Sequence, residues 1–243
     1  MSRTLSGPLD FFDRVAIINL PSRADRLRAL RGELRRVGFD IDDPKVTIPF
    51  APEPADANGF PSRGVYGNFL SHLGILESAY HDGLQNVLVL EDDAIFSARF
   101  RKCPMVEILS SEPWDMCFIG HALKLAPTAR GFMRSDAPFK WAHCYAVNCR
   151  VMPRLVDYLR ATIERPVAHP AGGKMYIDGA FSLFRKQNSD VVSLLATPSL
   201  SSQKGSTSSL SARKWYDENP LTKPIVAAAR AIRDELWRQD LIS

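Results

Sequence analysis

Cysteine is scarce and unpatterned in this chain. Cys103, Cys117, Cys144 and Cys149 show no Cys-x-x-Cys spacing, so neither a disulfide framework nor a thiolate metal site can be read. Cys117 and Cys144 fall inside apolar stretches and read as buried thiols, which makes a reducing, cytoplasmic setting the expectation. The five histidines, His72, His81, His121, His143 and His169, lack ligand spacing. No apolar run is long enough to span a bilayer, and the N-terminus lacks the basic stretch and apolar core of a secretory signal. Membrane contact is therefore expected to be peripheral at most, at the inner face. Charge of one sign is not in great excess either: 31 basic against 27 acidic residues leaves +4. That bias suits phosphates or nucleotides and does not call for nucleic acid.

What is present is an α/β pattern. With 243 residues and 45% hydrophobic content, the chain suits a single domain of generous size, expected over 15–215, after an N-terminal extension (1–14) and before a C-terminal helix (216–243). Val15-Ala16-Ile17-Ile18 reads as a first strand. Leu27, Leu30, Leu34 and Val37 form a helical stripe that Gly38 ends, with Ser22 as the expected N-cap and Asp25 completing a variant capping box. Val46-Thr47-Ile48 is the expected second strand, completing a βαβ opening. A Pro-rich loop over 49–63 precedes a helix over 66–80, marked by Phe69, Leu70, Leu73 and Leu76. Further expectations are helices over 100–109 and 152–163, strands at 116–120, 141–148 and 191–196, and irregular chain over 121–140. Residues 197–211, with seven serines, read as a long flexible loop.

The most informative stretch is Val87-Leu88-Val89-Leu90-Glu91-Asp92-Asp93-Ala94. An unbroken apolar run reads as a strand buried on both faces. Three carboxylates follow at its end, where open α/β sheets bind ligands. In an extended chain Glu91 and Asp93 face one way and Asp92 the other. Two acids on one side can share a hard cation such as Mg²⁺ or Mn²⁺, with a substrate phosphate completing the shell. The alternative is a solvated strand end or a helix cap.

Four further groups stand out. Arg23 and Arg26, after Asn19-Leu20-Pro21, lie at a helix N-terminus suited to anions, whereas Arg28, Arg31, Arg35 and Arg36 read as a solvated face. Gly64 and Gly67 permit close backbone approach at a helix start, with Ser71 and His72 one turn inside; a lone helical histidine is usually structural. Asp178, isolated among Tyr176, Ile177, Ala180 and Phe181, is a candidate general base if burial raises its pKa, or an ordinary helix cap. Lys204 with Ser206 to Ser209 can close over a diphosphate or stay unstructured.

Taken in order, these pieces resemble glycosyltransferase family 25, the lipooligosaccharide and collagen-type galactosyltransferase group. The matching stretches are Ile17-Ile18-Asn19-Leu20 with Arg23 and Arg26; Gly64-x-x-Gly67-x-x-x-Ser71-His72-Leu73; Leu88-Val89-Leu90-Glu91-Asp92-Asp93; Trp114-Asp115; Tyr145-Ala146-Val147; Tyr176-Ile177-Asp178; and Gln203 with Ser208-Ser209-Leu210. The resemblance implies a GT-A fold with a Rossmann-type mixed sheet, a nucleotide-sugar donor (usually UDP-linked), a saccharide or glycolipid acceptor, Mn²⁺ or Mg²⁺, and inversion at the anomeric carbon. It puts Glu91 and Asp93, with Asp92 between them, on the metal motif and Asn19, Leu20, Arg23 and Arg26 on the donor side. Ser71 and His72 join the donor segment, Gln203, Lys204 and Ser208 the diphosphate or acceptor loop, and Asp178 the later acid that binds metal or acts as base. Val65 and Asn68 depart from the pattern, which commonly has an acid and a cysteine there. Rival readings are a metal-dependent phosphohydrolase, a catalytically silent nucleotide- or carbohydrate-binding module and, last, a nucleic-acid binder.

Overall fold

A computed structural model of the chain describes residues 7–123, 125, 131–204 and 223–240. Its sheet begins with β1 (Arg14–Ile18), followed by helix α1 (Ala24–Arg36), β2 (Val46–Thr47), α2 (Arg63–His81), β3 (Asn86–Glu91) and β4 (Ala94–Phe96). Then come α3 (Met105–Ser111), β5 (Met116–Gly120), β6 (Phe132–Arg134), β7 (Cys144–Asn148), α4 (Met152–Glu164), α5 (Ile177–Gln187), β8 (Ser193–Ala196), β9 (Ser201–Gln203) and a C-terminal helix (Lys223–Arg238). The main sheet order is β2-β1-β3-β7-β5-β8-β6, with β9 bridging β4 and β5. β1 pairs in parallel with both β2 and β3, whereas β7 runs antiparallel to β3 and β5. The architecture is the α/β class expected, a mixed sheet flanked by helices.

The central strands bury both faces, and the period of two sorts their side chains between two cores. Val15 and Ile17 of β1 and Leu88 and Leu90 of β3 pack with Leu30 and Leu34 of α1. Ala16, Ile18, Val87 and Val89 pack on the opposite face with Phe69, Leu73 and Leu76 of α2 and with α4 and α5. Each large aliphatic side chain so buried contributes about 1.5–3 kcal/mol. Leu9 and Phe12, inside the expected N-terminal extension, are buried in the α1-side core; these two apolar side chains make that segment part of the domain.

Several local expectations are corrected. Arg23, not Ser22, occupies the N-cap position of α1, because Pro21–Arg23 forms a 3-10 turn first; no side chain caps the helix. Helix α2 starts at Arg63, with Ser62 Oγ accepting the Val65 N–H at 3.2 Å. The 100–109 helix is two pieces, a 3-10 turn (Ala98–Lys102) and α3, with Pro104 between them. Strand β6 lies within the stretch read as irregular, and β9 within the serine-rich segment read as loop. Tyr176 is the N-cap of α5, so Asp178 stands in a helical first turn.

Candidate functional site

From β1 the chain crosses through α1 to β2 on one side, while β3 docks on the other side of β1. Such a reversal leaves a crevice at the carboxyl ends of the two strands, where open α/β sheets bind ligands. A cleft of about 230 Å³ occupies this position. Leu20, Arg23 and Arg26 line it from the β1 side, Glu91, Asp92 and Asp93 from the β3 tip, and Gln203 and Lys204 from the end of β9. The remaining wall is residues 51–54 and the first turns of α2.

The sheet's alternation determines what each acid meets. Glu91 continues the parity of Val87 and Val89 and turns toward α2. Its Oε1 accepts from Asn68 Nδ2 at 3.1 Å and lies 3.3 Å from His72 Nε2, while Oε2 accepts from Gln203 Nε2 at 3.0 Å. His72 is fully buried, and its Nδ1 lies 2.8 Å from the Tyr145 hydroxyl. Asp92 continues the parity of Leu88 and Leu90 and turns toward α1. Its Oδ2 accepts from Asn19 Nδ2 at 2.8 Å and its Oδ1 from Arg26 Nη1 at 2.9 Å. The alternation ends there, because Asp92 and Asp93 form the turn into β4. Asp93 therefore does not simply share the Glu91 face: its Oδ2 lies 3.6 Å from Arg26 Nη1, and its buried Oδ1 has no hydrogen-bond partner among the described residues. The Asp93 carbonyl accepts the Lys204 N–H at 2.7 Å, tying β9 to the acidic tip.

The charges follow from these contacts. Burial works against the Glu91 carboxylate, but His72, His143 and Asn68 outweigh it and hold its carboxyl down at about 2. Burial and then the neighbouring Glu91 charge push Asp93 up to about 7, with Arg26 offsetting part of the rise. Burial also raises Asp92, against Arg26 and Asn19. One acid is thus held ionised by its partners while the acid two residues on resists ionisation.

The other candidates are placed as follows. Arg23 forks onto Asp25 at 3.0 and 3.1 Å and also lines the cleft. Asn19, besides holding Asp92, donates to the Arg23 carbonyl at 3.1 Å, which braces the β1–α1 turn. Ser71 donates to the Gly67 carbonyl at 2.8 Å and faces the cleft. Asp178 does not line the cleft; its Oδ2 accepts the Trp141 N–H at 3.0 Å and its Oδ1 the Gly179 N–H at 2.8 Å. Ser208, with Ser206, Thr207 and Ser209, lies outside the described residues.

The sequence marks Asn68 only as a departure from the family pattern and Tyr145 only as part of the Tyr145-Ala146-Val147 match, and it gives the 51–54 wall no role. The signal for Asn68 was available: Gly64, Gly67, Asn68 and Ser71 recur at helical spacing, and all four line the cleft. Gly67 is required by close approach, since a Cβ there would stand 2.6 Å from the Pro52 carbonyl. For Tyr145 the contact with His72 had no local signal, because only strand pairing brings β7 beside β3.

The carboxylates offer limited room for a metal. Among the described residues no three or more His, Cys, Asp or Glu side chains are grouped to enclose an ion. Glu91 and Asp92 are committed to protein partners, and Asp93 Oδ1 is the buried acid oxygen without one. Mg²⁺ or Mn²⁺ bound through one carboxylate, substrate oxygens and water fits that donor set.

No protein-family model matches the chain. Two curated proteins resemble it: "Probable inactive glycosyltransferase 25 family member 3" of Bos taurus, 29% identical over 136 residues, and "Procollagen galactosyltransferase 1" of Danio rerio, 27% identical over 172 residues. These matches take in 45% and 60% of this chain but 22% and 28% of the relatives, so the chain spans about a quarter of their length. Among solved structures, a glycosyltransferase involved in glycosylation of the major capsid of PBCV-1 aligns over 94% of this chain and 100% of its own, at 11% identity and a TM-score of 0.40. A mannose-1-phosphate geranyltransferase from Thermus thermophilus aligns over 77% of this chain and 74% of its own, at 12% identity and a TM-score of 0.45. Both TM-scores lie below 0.5. Among the described residues no helix is long and apolar enough to cross a membrane. In sequence, the chain is similar to glycosyltransferase 25 family proteins.

Proposed function

We propose that this chain is a glycosyltransferase of GT-A type. In this reading it binds a nucleotide-diphosphate sugar, UDP-linked by preference, between the β1 and β3 tips and transfers the hexose to a saccharide or glycolipid hydroxyl with inversion. The observation that carries the reading is the cleft's double charge. Arg23, Arg26, Arg63 and Lys204 line one crevice together with Glu53, Glu91, Asp92 and Asp93, four cations and four acids. An anion alone would meet the acids and a cation alone the arginines; a diphosphate with a divalent ion offsets both sets. The similarity to a procollagen galactosyltransferase supports the same class of chemistry.

Asp93 would hold Mn²⁺ or Mg²⁺ through its unpartnered oxygen, with Glu91 and Asp92 fixing the turn around it. When bound, the ion supplies Lewis-acid neutralisation of the departing diphosphate. Arg23, Arg26 and Lys204 bind and orient the phosphates, with the start of α1 adding backbone dipoles. Asp178, which stands beyond the cleft wall beside Trp141, would serve as base only for an acceptor hydroxyl that approaches from that side, opposite the leaving group.

Calorimetry with UDP, with and without Mn²⁺, tests the reading. Metal-dependent UDP binding that is lost in Asp93→Ala is the expected result; equal binding without metal, or none, overturns it. A screen of UDP-galactose, UDP-glucose and their N-acetyl forms for UDP release then identifies the sugar. The relative named inactive favours one second reading, a silent donor-binding module. UDP binding without turnover on any donor would select it.

A further inference from the structure

Trp141 is held against its own preferences. Its φ is +71°, a left-handed conformation that bulky side chains rarely adopt. The residue is 42% exposed, although Phe139, Ala142 and His143 around it are buried. Two contacts hold it in place: the backbone N–H donates to Asp178 Oδ2 at 3.0 Å, and the ring meets buried His143 edge-on with centroids 6.2 Å apart. Strain of this kind persists only where the surroundings over-determine it, and it concentrates at binding sites. Leaving a large ring in water has no packing benefit to offset that strain.

Its position adds a reason. Strand β7 runs antiparallel to β3 with Cys144 opposite Leu90, and the Glu91 N–H donates to the His143 carbonyl. Two residues before His143, Trp141 therefore stands just past the acidic tip of the sheet. Asp178, which fixes it, comes from α5 on the α2 face, whereas Arg23 and Arg26 belong to the α1 side of the same tip. The two flanks of the tip differ in kind: one is cationic, the other presents an exposed indole braced by a carboxylate.

We propose that Trp141 is a stacking platform for a pyranose ring of the acceptor saccharide. A pyranose offers a face of C–H groups with hydroxyls at its edge, and an indole face, apolar and electron-rich, matches it. Asp178 sets the angle of the platform through the Trp141 amide, which places the proposed base beside the acceptor ring. The assignment of that ring as an acceptor rests on the transferase reading; saccharide binding by Trp141 is measurable apart from it.

Two variants test the platform. Trp141→Asn removes the ring but keeps the amide to Asp178 and a residue tolerant of positive φ; Trp141→Phe keeps a smaller ring. Each is run on an array of hexose- and N-acetylhexosamine-terminated glycans, with UDP and Mn²⁺ calorimetry and thermal unfolding in parallel. Expected is a loss of about tenfold or more in glycan binding for Trp141→Asn, a partial loss for Trp141→Phe, and unchanged UDP affinity and unfolding temperature. The proposal is overturned if wild type retains no glycan, if Trp141→Asn binds glycans like wild type, or if both variants unfold well below wild type, which would make the ring structural. Ring-dependent glycan binding in a protein that does not bind UDP would leave the platform standing and sink the transferase reading instead.

Discussion

Replacing Asp93 by asparagine should make the ligand-free protein more stable while removing its donor binding. In the folded chain the Asp93 carboxyl is pushed from 3.8 up to about 7, first by burial and then by Glu91. A raised carboxyl binds its proton more tightly in the folded state than in the unfolded one. Folding therefore takes up a proton between about pH 4 and pH 7, and stability falls as pH climbs through that window. A rise of roughly three in pKa corresponds to a ceiling of about 4 kcal/mol. Titration shared with Glu91 and a polar surrounding reduce this, to about 2 kcal/mol. Asparagine keeps the shape and carries no charge, so the cost disappears. For a chain of this size, about 2 kcal/mol shifts the unfolding temperature by roughly 4–8 °C. At pH 8 in chelator, Asp93→Asn should melt that far above wild type; as pH falls to about 4, where the folded Asp93 carboxyl is protonated, the gap should close to within a few tenths of a kcal/mol. Glu91 does not confuse the comparison: with its carboxyl held down at about 2, its stabilisation is lost only as pH falls from about 4.5 toward that value. Mn²⁺ at pH 8 should raise wild type and leave the variant where it was. Differential scanning calorimetry from pH 4 to 8 reads all of this. A difference that does not vary with pH, or a variant less stable than wild type at pH 8, would refute the account of a charge held under compulsion.

Three further outcomes follow from the same contacts. His72→Ala strips Glu91 and Tyr145 of a fully buried partner, and urea denaturation should register a loss of about 3 kcal/mol; an unmoved midpoint would mean water replaces the imidazole without cost. Gly67→Ala should weaken UDP binding, because its Cβ would press on the Pro52 carbonyl that lines the cleft. Gly74→Ala, with nothing within 4 Å on the same helix, should leave affinity alone and stabilise by about 0.5–1 kcal/mol; equal effects on affinity at the two positions would contradict this. Arg26→Gln takes the guanidinium from Asp92 and from the cleft, and calorimetry should show UDP affinity lowered at least about tenfold, as expected for a charge-assisted contact.

Much of the fold was legible because its central elements are long and periodic. The apolar runs of β1 and β3 and the stripe Leu30–Leu34 declare elements that bury in only one way. The misread pieces are those whose structure comes from elsewhere. Strand β9 has no apolar pattern in Ser201–Gln203; it is a strand because β4 offers a backbone edge opposite it, and backbone hydrogen bonds do not depend on residue type. The cap of α1 was misplaced because Pro21 starts a 3-10 turn before the helix proper.

The candidate site divides along the same line. The acids at the strand end, the arginines at the start of α1 and the small polar stripe of α2 are local facts, written in residue order. What separates three adjacent acids is not local. Glu91 meets His72, Asp92 meets Arg26 and Asn19, and Asp93 keeps a bare oxygen because two helices close on opposite faces of the sheet and the strand ends in a turn. Sequence alone determined that carboxylates would gather at this tip; only the packing of α1, α2 and β9 around it decided which one is left for a ligand, since burial and partners, not residue type, set the free energy of a buried charge.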